Sequence, residues 1–464
     1  MNLRRSLIIR NVEIEGQSGL DVRIEHDCVA EIGFGLEPAG DEIDGEGGAL
    51  IPGLADHHVH LMALAAQADS IVLDRVTNRS EFESRIAAAL VGSSEGTWIR
   101  AVGYHETMAG ELNKRELDLI APRHRLRVQH QTGSLWILNS LALESVGADN
   151  GPSDCVERGA DGRATGRIWR GDAWLRGRMP ARPLPMAAVG QRLTDFGITS
   201  VTDASVTNDT LSADILGRYH LNGQLPQRLT IMSGGELNCP PDGAFAVGPV
   251  KIVLDDYNLP DLDELASRIE FAHASNRVVA VHCVTAAELA VTLAALEAKG
   301  SVPGDRIEHG SIIPIDTIAQ LRALRLVIVT QPGFTLERGD RYVSTVAENE
   351  RQDLNRCGSL LTAGISVVAG SDAPYGPLDP WLSIATAVTR RTLRGQVLGE
   401  KEKIEPMAAL SMYLGDPSAP GRTKRRVTAG GAADLCLLKA PLADMLDCPS
   451  SELVRATFIG GQIV

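Results

Sequence analysis

Residues 278–311 read VVAVHCVTAAELAVTLAALEAKGSVPGDRIEHGS, and this stretch predicts a strand, a helix and a second strand. VVAVHC and RIEHGS are short runs rich in β-branched residues. Between them, Thr285 and Glu288 have the spacing of a capping box, leucines repeat at helical intervals, and Gly300 ends the pattern. A strand, a helix and a strand in this order are the repeating unit of a parallel sheet.

The same alternation extends in both directions along the chain. After the first strand, the strand-like runs recur every 20–40 residues or so, the interval expected of βα units. We therefore predict an α/β fold of the (β/α)8 TIM-barrel class. Its eight strands are expected in IPGLADHHVH (51–60), TSVTDA (199–204), RLTIMSG (228–234), VKIVLDD (250–256), VVAVHC (278–283), RIEHGS (306–311), VIVTQPG (327–333) and ISVVAGSDA (365–373).

Both ends of the chain carry short strand patterns broken by Gly, Asp and Pro. Because chain termini often lie close together, we expect residues 1–50 and 416–464 to form one small β-sandwich domain. The barrel then occupies residues 51–415. Residues 62–195 interrupt it after the first strand. An insertion there emerges on the catalytic face of a barrel, so we interpret it as a cap or substrate subdomain.

Composition excludes several classes of protein. The chain has 464 residues, of which 44% are hydrophobic and 22% charged, and its formal net charge is −14. Such an acidic chain is a poor nucleic-acid binder, and no apolar run is long enough to span a membrane. The seven cysteines form no CxxC pair, which indicates reduced thiols and a cytoplasmic location. The expected partner is a small-molecule substrate, and a homo-oligomer is compatible with these features.

The stretch LADHHVH contains the first candidate metal ligands. Alternate residues of a strand point to the same face, so His58 and His60 are expected to project together from the end of the first strand. Two imidazoles in this arrangement can bind one metal ion. Two histidines that only form hydrogen bonds at a strand end are the alternative.

Other strands end in further ligand types. Lys251 is predicted to face the barrel interior, where a neutral amine can take up CO₂ to form a carbamate that bridges two metals; an ion pair with Asp255 is the alternative. Carboxyl ends of barrel strands are where such enzymes place catalytic residues. The nitrogen and oxygen donors suit zinc and also permit Mn, Fe or Ni. The set predicted to bind one or two divalent ions is His58, His60, Lys251, His282, His309 and Asp372.

These motifs, in this order, resemble the amidohydrolase superfamily of metal-dependent hydrolases, and within it the amidohydrolase 3 (YtcJ-like) group. The resemblance covers nearly the whole chain, including GITSVTDA, GSDAP and the terminal GGAADLCLLKA and ATFIGGQIV. It implies that His58, His60 and Asp372 hold one metal. It also implies that His282 and His309 hold a second metal, with carboxylated Lys251 as the bridge.

With a single ion, the resemblance implies the ligands His58, His60, His282 and Asp372, while His309 polarises the substrate. Asp372 and His309 are thus the predicted catalytic residues. The chain departs from the group in the insertion, where Tyr104, His105 and Glu106 stand in place of a common Trp-Asp-Glu. We expect these three residues and Tyr375 to contact the substrate, although packing roles are the alternative.

The predicted function is hydrolysis of an amide-type C–N bond by metal-activated water, with Asp372 as general base and then acid. The same site could instead act on a lactone, a phosphoester, an aminated ring or a carboxylic acid that loses CO₂. A barrel that binds ligands without catalysis is the remaining alternative, but it would be expected to have lost a ligand, and all six are present.

Overall fold

The computed structural model describes residues 6–38, 40–73, 76–180 and 184–464. Two compact units divide the chain. The first comprises Met1–Leu61 and Met186–Val464, and the second comprises Met62–Pro185.

The first unit is built around a parallel sheet that, within the described ranges, has eight strands. Each strand pairs with the next one along the chain, as in a TIM barrel. The predicted fold class is confirmed. The strands are β1 (Leu54–Val59), β2 (Ile198–Asp203), β3 (Arg228–Ser233), β4 (Ala246–Val253), β5 (Val279–Cys283), β6 (Arg306–His309), β7 (Val327–Thr330) and β8 (Ser366–Ala369).

Helices connect most of these strands. The predicted capping box at Thr285 and Glu288 starts Ala286–Lys299, and Gly300 ends it. No helix lies between β3 and β4 in the described residues, which departs from a regular barrel. The other helices of this unit are Met186–Asp195, Thr210–Leu221, Leu262–Ala274, Ile318–Ala323, Gly333–Thr345, Gly358–Thr362, Pro380–Thr389, Pro406–Ser411 and Leu442–Asp447.

Hydrogen bonds around the end of β8 join the last barrel strand to the first. The backbone N–H of Asp372 donates to the carbonyl of His58 at 2.7 Å, and that of His60 donates to the carbonyl of Ala373 at 2.9 Å. Gly370 permits this approach, because a Cβ built there would lie 2.6 Å from the Cβ of His58. This junction brings the residues that follow β8 beside the end of β1.

Two small sheets complete the first unit and share one hydrophobic core, which includes Ile9, Val22, Leu50, Leu435 and Phe458. Both termini therefore contribute to one β structure, while the domain limits at residues 50 and 416 stay a prediction. One sheet has the order Cys28–Gly33, Gln17–Glu25, Ser6–Ile14 and Asp41–Asp44; the other has the order Gln462–Ile463, Val454–Ile459, Leu435–Leu438 and Leu50–Pro52.

The second unit has its own sheet, six-stranded over the residues described. Its strands follow the order Val156–Arg158, Ala164–Trp169, Leu135–Leu138, Arg125–His130, Trp98–Tyr104 and Ile71–Val72. Its helices are Arg79–Leu90, Glu106–Ala109, Lys114–Ile120, Ser140–Val146 and Asp172–Arg176, and helix Leu61–Ala68 enters it from the barrel. The unit ends at Pro185, ten residues before the predicted boundary.

Among the described residues, no helix has the length and apolar character needed to cross a lipid bilayer.

Candidate metal centre

Three predicted ligands converge where β1 and the segment after β8 meet. Nε2 of His60 lies 3.1 Å from Oδ1 of Asp372, and Nε2 of His58 lies 3.4 Å from the same oxygen. The ligand atoms of these three residues all lie within 4.8 Å of one another. Nε2 of His58 is buried and has no hydrogen-bond partner among the described residues. A divalent cation satisfies such a set, because each residue offers a lone pair to one point.

Two further imidazoles adjoin this group. The ring centre of His309 lies 4.8 Å from that of His58 and 4.5 Å from that of His282. Burial, with Lys251 nearby, lowers the pKa of His282 to about 3, and burial beside His282 lowers the pKa of His309 well below its usual value. Both rings are therefore neutral near pH 7, which is the form that binds metals.

Lys251 lies on β4 and is 2% exposed. Burial lowers the pKa of its amine, while the carboxylates of Glu308 and Asp372 oppose that shift. Its Nζ has no hydrogen-bond partner in the described part of the chain. A buried lysine in this state fits the predicted carbamate, since a carbamate would remove the unpartnered amine and supply ligand oxygens. The electrostatic partners of Lys251 are thus Glu308 and Asp372.

A second set of side chains fixes the orientation of the histidines. Nδ1 of His58 contacts the carboxylate of Glu308, Nδ1 of His60 lies 2.9 Å from Oγ of Ser205, and Nδ1 of His309 lies 2.9 Å from Oε1 of Gln331. A carboxylate only accepts, so Nδ1 of His58 donates and Nε2 keeps its lone pair for a metal.

Glu308 itself is fully buried. Burial alone would raise its pKa, but Arg306 and Lys251 hold the pKa of this carboxyl well below its usual range. Oε1 of Glu308 lies 2.5 Å from Nε of Arg306. The side chain is therefore an ionised carboxylate between a cationic residue and a predicted metal ligand.

Asp372 is also ionised. Burial favours its neutral form, yet the adjacent imidazoles of His58 and His60 keep its pKa well below the usual value. Its backbone φ is +55°, and that of His309 is +68°. Non-glycine residues rarely adopt this left-handed region, and such strain is concentrated at functional sites.

The structure separates the four predicted substrate contacts. The ring of Tyr375 packs edge-on against His60 with 5.5 Å between centres, beside the predicted ligands. Tyr104 has the contacts of a packing residue, which was the alternative to a substrate contact. It is fully buried in the core of the second unit, where it packs on Phe82 and its hydroxyl donates to the carbonyl of Gly110. A contact between Tyr104 and substrate stays a prediction.

His105 and Glu106 belong to a separate group in the second unit, with His130 as the third member. Nε2 of His130 lies 3.1 Å from Oε2 of Glu106. Nδ1 of His105 accepts the backbone N–H of Thr107, and Nδ1 of His130 accepts that of Thr132. When both rings are neutral, Nε2 of each histidine therefore carries the proton and faces the carboxylate of Glu106. Nε2 of His105 lies 3.9 Å from Oε2 of Glu106. The group is arranged as a hydrogen-bonded cluster.

Sequence reasoning missed the residues that orient the ligands. The signal for Glu308 was present, since it alternates with Arg306 on the inward face of RIEHGS. Ser205 and Gln331 follow the ends of β2 and β7, but a single polar residue at a strand end has no pattern of its own.

The chain is similar to known amidohydrolases over almost its whole length. The model of the amidohydrolase family Amidohydro_3 matches residues 41–464. The chain is 25% identical to N-substituted formamide deformylase of Arthrobacter pascens over 98% of this chain and 96% of that protein. It is 23% identical to the protein LONG AFTER FAR-RED 3 of Arabidopsis thaliana, over 91% of this chain and 83% of the relative.

Solved structures share the fold. An uncharacterized metal-dependent hydrolase from Pyrococcus horikoshii OT3 superposes with a TM-score of 0.68 at 20% identity, covering 88% of this chain and 91% of the other. N-isopropylammelide isopropylaminohydrolase from Burkholderia multivorans superposes with a TM-score of 0.56 at 17% identity, covering 99% of this chain and 98% of the other.

Proposed function

The chain belongs to the amidohydrolase family, and on that premise we propose that it hydrolyses an amide-type C–N bond at the centre formed by His58, His60 and Asp372. It is an enzyme of the class that acts on carbon–nitrogen bonds other than peptide bonds. One observation carries the assignment of the site: the ligand atoms of these three residues lie within 4.8 Å of one another, with Nε2 of His58 buried and unpartnered in the described residues. The named relative that acts on N-substituted formamides supports the bond type.

The residues present fit a divalent metal, and we propose zinc. The six donors are nitrogen and oxygen atoms with no thiolate, and three of the histidines have Nδ1 fixed by a second residue. A bound ion would supply activation of water and polarisation of the substrate carbonyl. Under this proposal His58, His60 and Asp372 hold one ion, while His282, His309 and carboxylated Lys251 hold a second.

Carboxylation of Lys251 needs only CO₂. The lone pair of the neutral amine forms an N–C bond, one C=O π bond becomes a carboxylate, and the amine proton leaves to water. The lowered pKa of Lys251 supports this step, because it raises the fraction of neutral amine. With a single ion, His309 would remain free to polarise the substrate carbonyl.

Asp372 moves the proton in the proposed reaction. One oxygen stays beside His58 and His60, and the carboxylate accepts a proton from the attacking water. The water oxygen forms a bond to the carbonyl carbon. Asp372 then returns the proton to the nitrogen as the C–N bond breaks, which releases an acid and an amine. Glu308 keeps His58 in the tautomer that this geometry requires.

The experiment is product analysis with purified protein of known metal content. N-formyl and N-acetyl amines, a cyclic amide, a lactone and a phosphodiester would be incubated with the enzyme, and released amine, acid and phosphate would be quantified. Amine release that a chelator abolishes and zinc restores is the expected result. Turnover of the lactone or the phosphodiester without turnover of any amide would show that the enzyme cleaves an ester-type bond and not an amide.

The cellular location belongs to the same proposal. All seven cysteines are free thiols, which supports a reducing compartment such as the cytoplasm. The oligomeric state stays a prediction, to be measured by light scattering.

A further inference from the structure

Helix Gly333–Thr345, which follows β7, packs beside the loop that carries Asp372. Phe334 lies against that loop, since a Cβ built on Gly376 would be 2.6 Å from its ring. Arg338, one turn further along the helix, donates from Nη2 to the backbone carbonyl of Tyr375. The ring of Tyr375 in turn contacts His60. Arg338 is therefore one residue removed from a proposed metal ligand.

Arg338 and Arg341 form a pair on this helix. Residues three apart are neighbours on a helix surface, and the positive charge of Arg338 acts directly on Arg341. The guanidinium of Arg338 stacks over the ring of Phe334 at 3.7 Å, which fixes its plane. Both side chains are partly buried. Two adjacent cations thus lie together on one partly buried face of the helix.

Among the described residues, the one side-chain hydrogen bond resolved for this pair is that of Arg338 to the carbonyl of Tyr375. The ion pairs resolved in those ranges include neither arginine, and Arg341 makes no side-chain hydrogen bond there. Asp340, the acid between them in sequence, instead accepts from the hydroxyl of Thr392 and the backbone N–H of Arg394. Other arginines of this unit are satisfied: Arg356 pairs with Asp353 and Glu402, and Arg390 donates to three backbone carbonyls. Partly buried guanidinium groups without an anion are costly, which favours a ligand that supplies one.

We propose that Arg338 and Arg341 bind a carboxylate on the substrate, so that the enzyme acts on amides whose acyl or amine part is itself an acid, as in N-acylated amino acids. This inference rests on the proposed amide hydrolysis and adds the substrate class. The planar guanidinium of Arg338 suits a carboxylate, because its N–H donors match two oxygens. The Tyr375 segment links this anion site to His60, so recognition and chemistry share one loop.

The test compares matched substrates. N-formyl and N-acetyl derivatives of phenylalanine, leucine and glutamate would each be paired with the same amide lacking the α-carboxylate, such as N-acetylphenethylamine. In the parent enzyme, kcat/KM is expected to favour the acid of at least one pair by about 10- to 100-fold, the range of hydrogen bonds to a charged group. Arg341→Gln should abolish that preference, mainly through a higher KM for the acid.

Three variants sharpen the comparison. Arg341→Lys keeps the charge and should retain part of the preference. Arg338→Lys should weaken it, because an ammonium cannot form two parallel bonds. Arg322→Gln removes an exposed arginine from helix Ile318–Ala323 and serves as the charge-matched control, with no expected change in preference.

The outcomes separate the two proposals. Equal turnover of acids and neutral amides, or a preference that survives Arg341→Gln, would overturn the carboxylate site while amide hydrolysis stands. If no amide is hydrolysed, the proposed function fails, and the carboxylate site is judged by calorimetric titration with N-acetyl-L-phenylalanine. Absent binding, or binding that Arg341→Gln does not weaken, would then contradict it.

Discussion

The carboxylate of Glu308 contacts Nδ1 of His58 in the interior of the barrel. Both side chains are almost completely buried, and Arg306 lies on the far side of the carboxylate at 2.5 Å. The contact leaves Nε2 of His58 directed at Oδ1 of Asp372. A buried ion pair on β6 therefore sets the tautomer of a ligand on β1.

Replacement of Glu308 by Gln should weaken metal binding by about 10- to 100-fold, because an uncharged amide that can also donate replaces a carboxylate that only accepts from His58. It should also lower stability, since Arg306 would lack its buried anion, an effect of about 3–5 kcal/mol. Metal affinity would be measured by competition with a zinc indicator, and stability by thermal unfolding.

Glu288→Gln provides the matched control for this change. Glu288 is also buried, but its carboxylate accepts the backbone N–H groups of Val284 and Thr285 at a helix start. Its loss should cost stability and leave metal affinity intact. Parental metal affinity in Glu308→Gln would show that this carboxylate does not orient His58.

Asp372→Asn should fold, retain much of its metal and lose activity. Asn keeps the shape and one ligand oxygen but accepts no proton, and loss of general acid–base catalysis typically costs about 10²–10⁴-fold in rate. Steady-state kinetics would be measured beside metal content and a melting curve. If the variant keeps parental metal content and a kcat close to that of the parent, another residue must move the proton. His309 would be the next residue to test.

Lys251 should carry a carbamate in the two-metal form. Protein equilibrated with ¹³C-labelled CO₂ is expected to show a carbamate signal in the ¹³C NMR spectrum that Lys251→Ala lacks. Short carboxylic acids should restore part of the activity of Lys251→Ala, because they replace the missing ligand oxygens. Full occupancy of both ions without a carbamate signal would count against this assignment.

Gly370→Ala should destabilise the barrel junction. The new Cβ would lie 2.6 Å from the Cβ and the backbone nitrogen of His58, so the segment before Asp372 must shift. Overpacking of this kind costs about 1–3 kcal/mol. Gly235→Ala is the control, since a Cβ there meets nothing within 4 Å. Equal melting temperatures for the two variants would contradict the close approach.

The barrel was predictable because its signals are local and repeated. Each strand is a short apolar run, and the helix that starts after Thr285 carries both its capping box and its terminal glycine. Residues at the carboxyl ends of parallel strands necessarily meet on one face. His58, His282 and His309 therefore come together once the strand order is known.

The residues that orient the ligands were not predictable in the same way. The partner of His60 is Ser205, which is 145 positions away, and that of His58 is Glu308, which is 250 positions away. Such pairs depend on strand register and on rotamers, and neither leaves a pattern in one sequence. The packing of Tyr104 was not predictable for a related reason, since its hydroxyl donates to the carbonyl of Gly110 within its own unit.

The proposed role of His58, His60 and Asp372 is to bind a divalent metal that the reaction requires. Its most direct test is elemental analysis of the purified protein and of His60→Ala, paired with the rate of amide hydrolysis before and after chelation. We expect at least one zinc per chain in the parent, loss of activity on chelation with recovery on zinc addition, and a strongly reduced metal content in His60→Ala. Activity that survives chelation in protein with well under one metal per chain would contradict it.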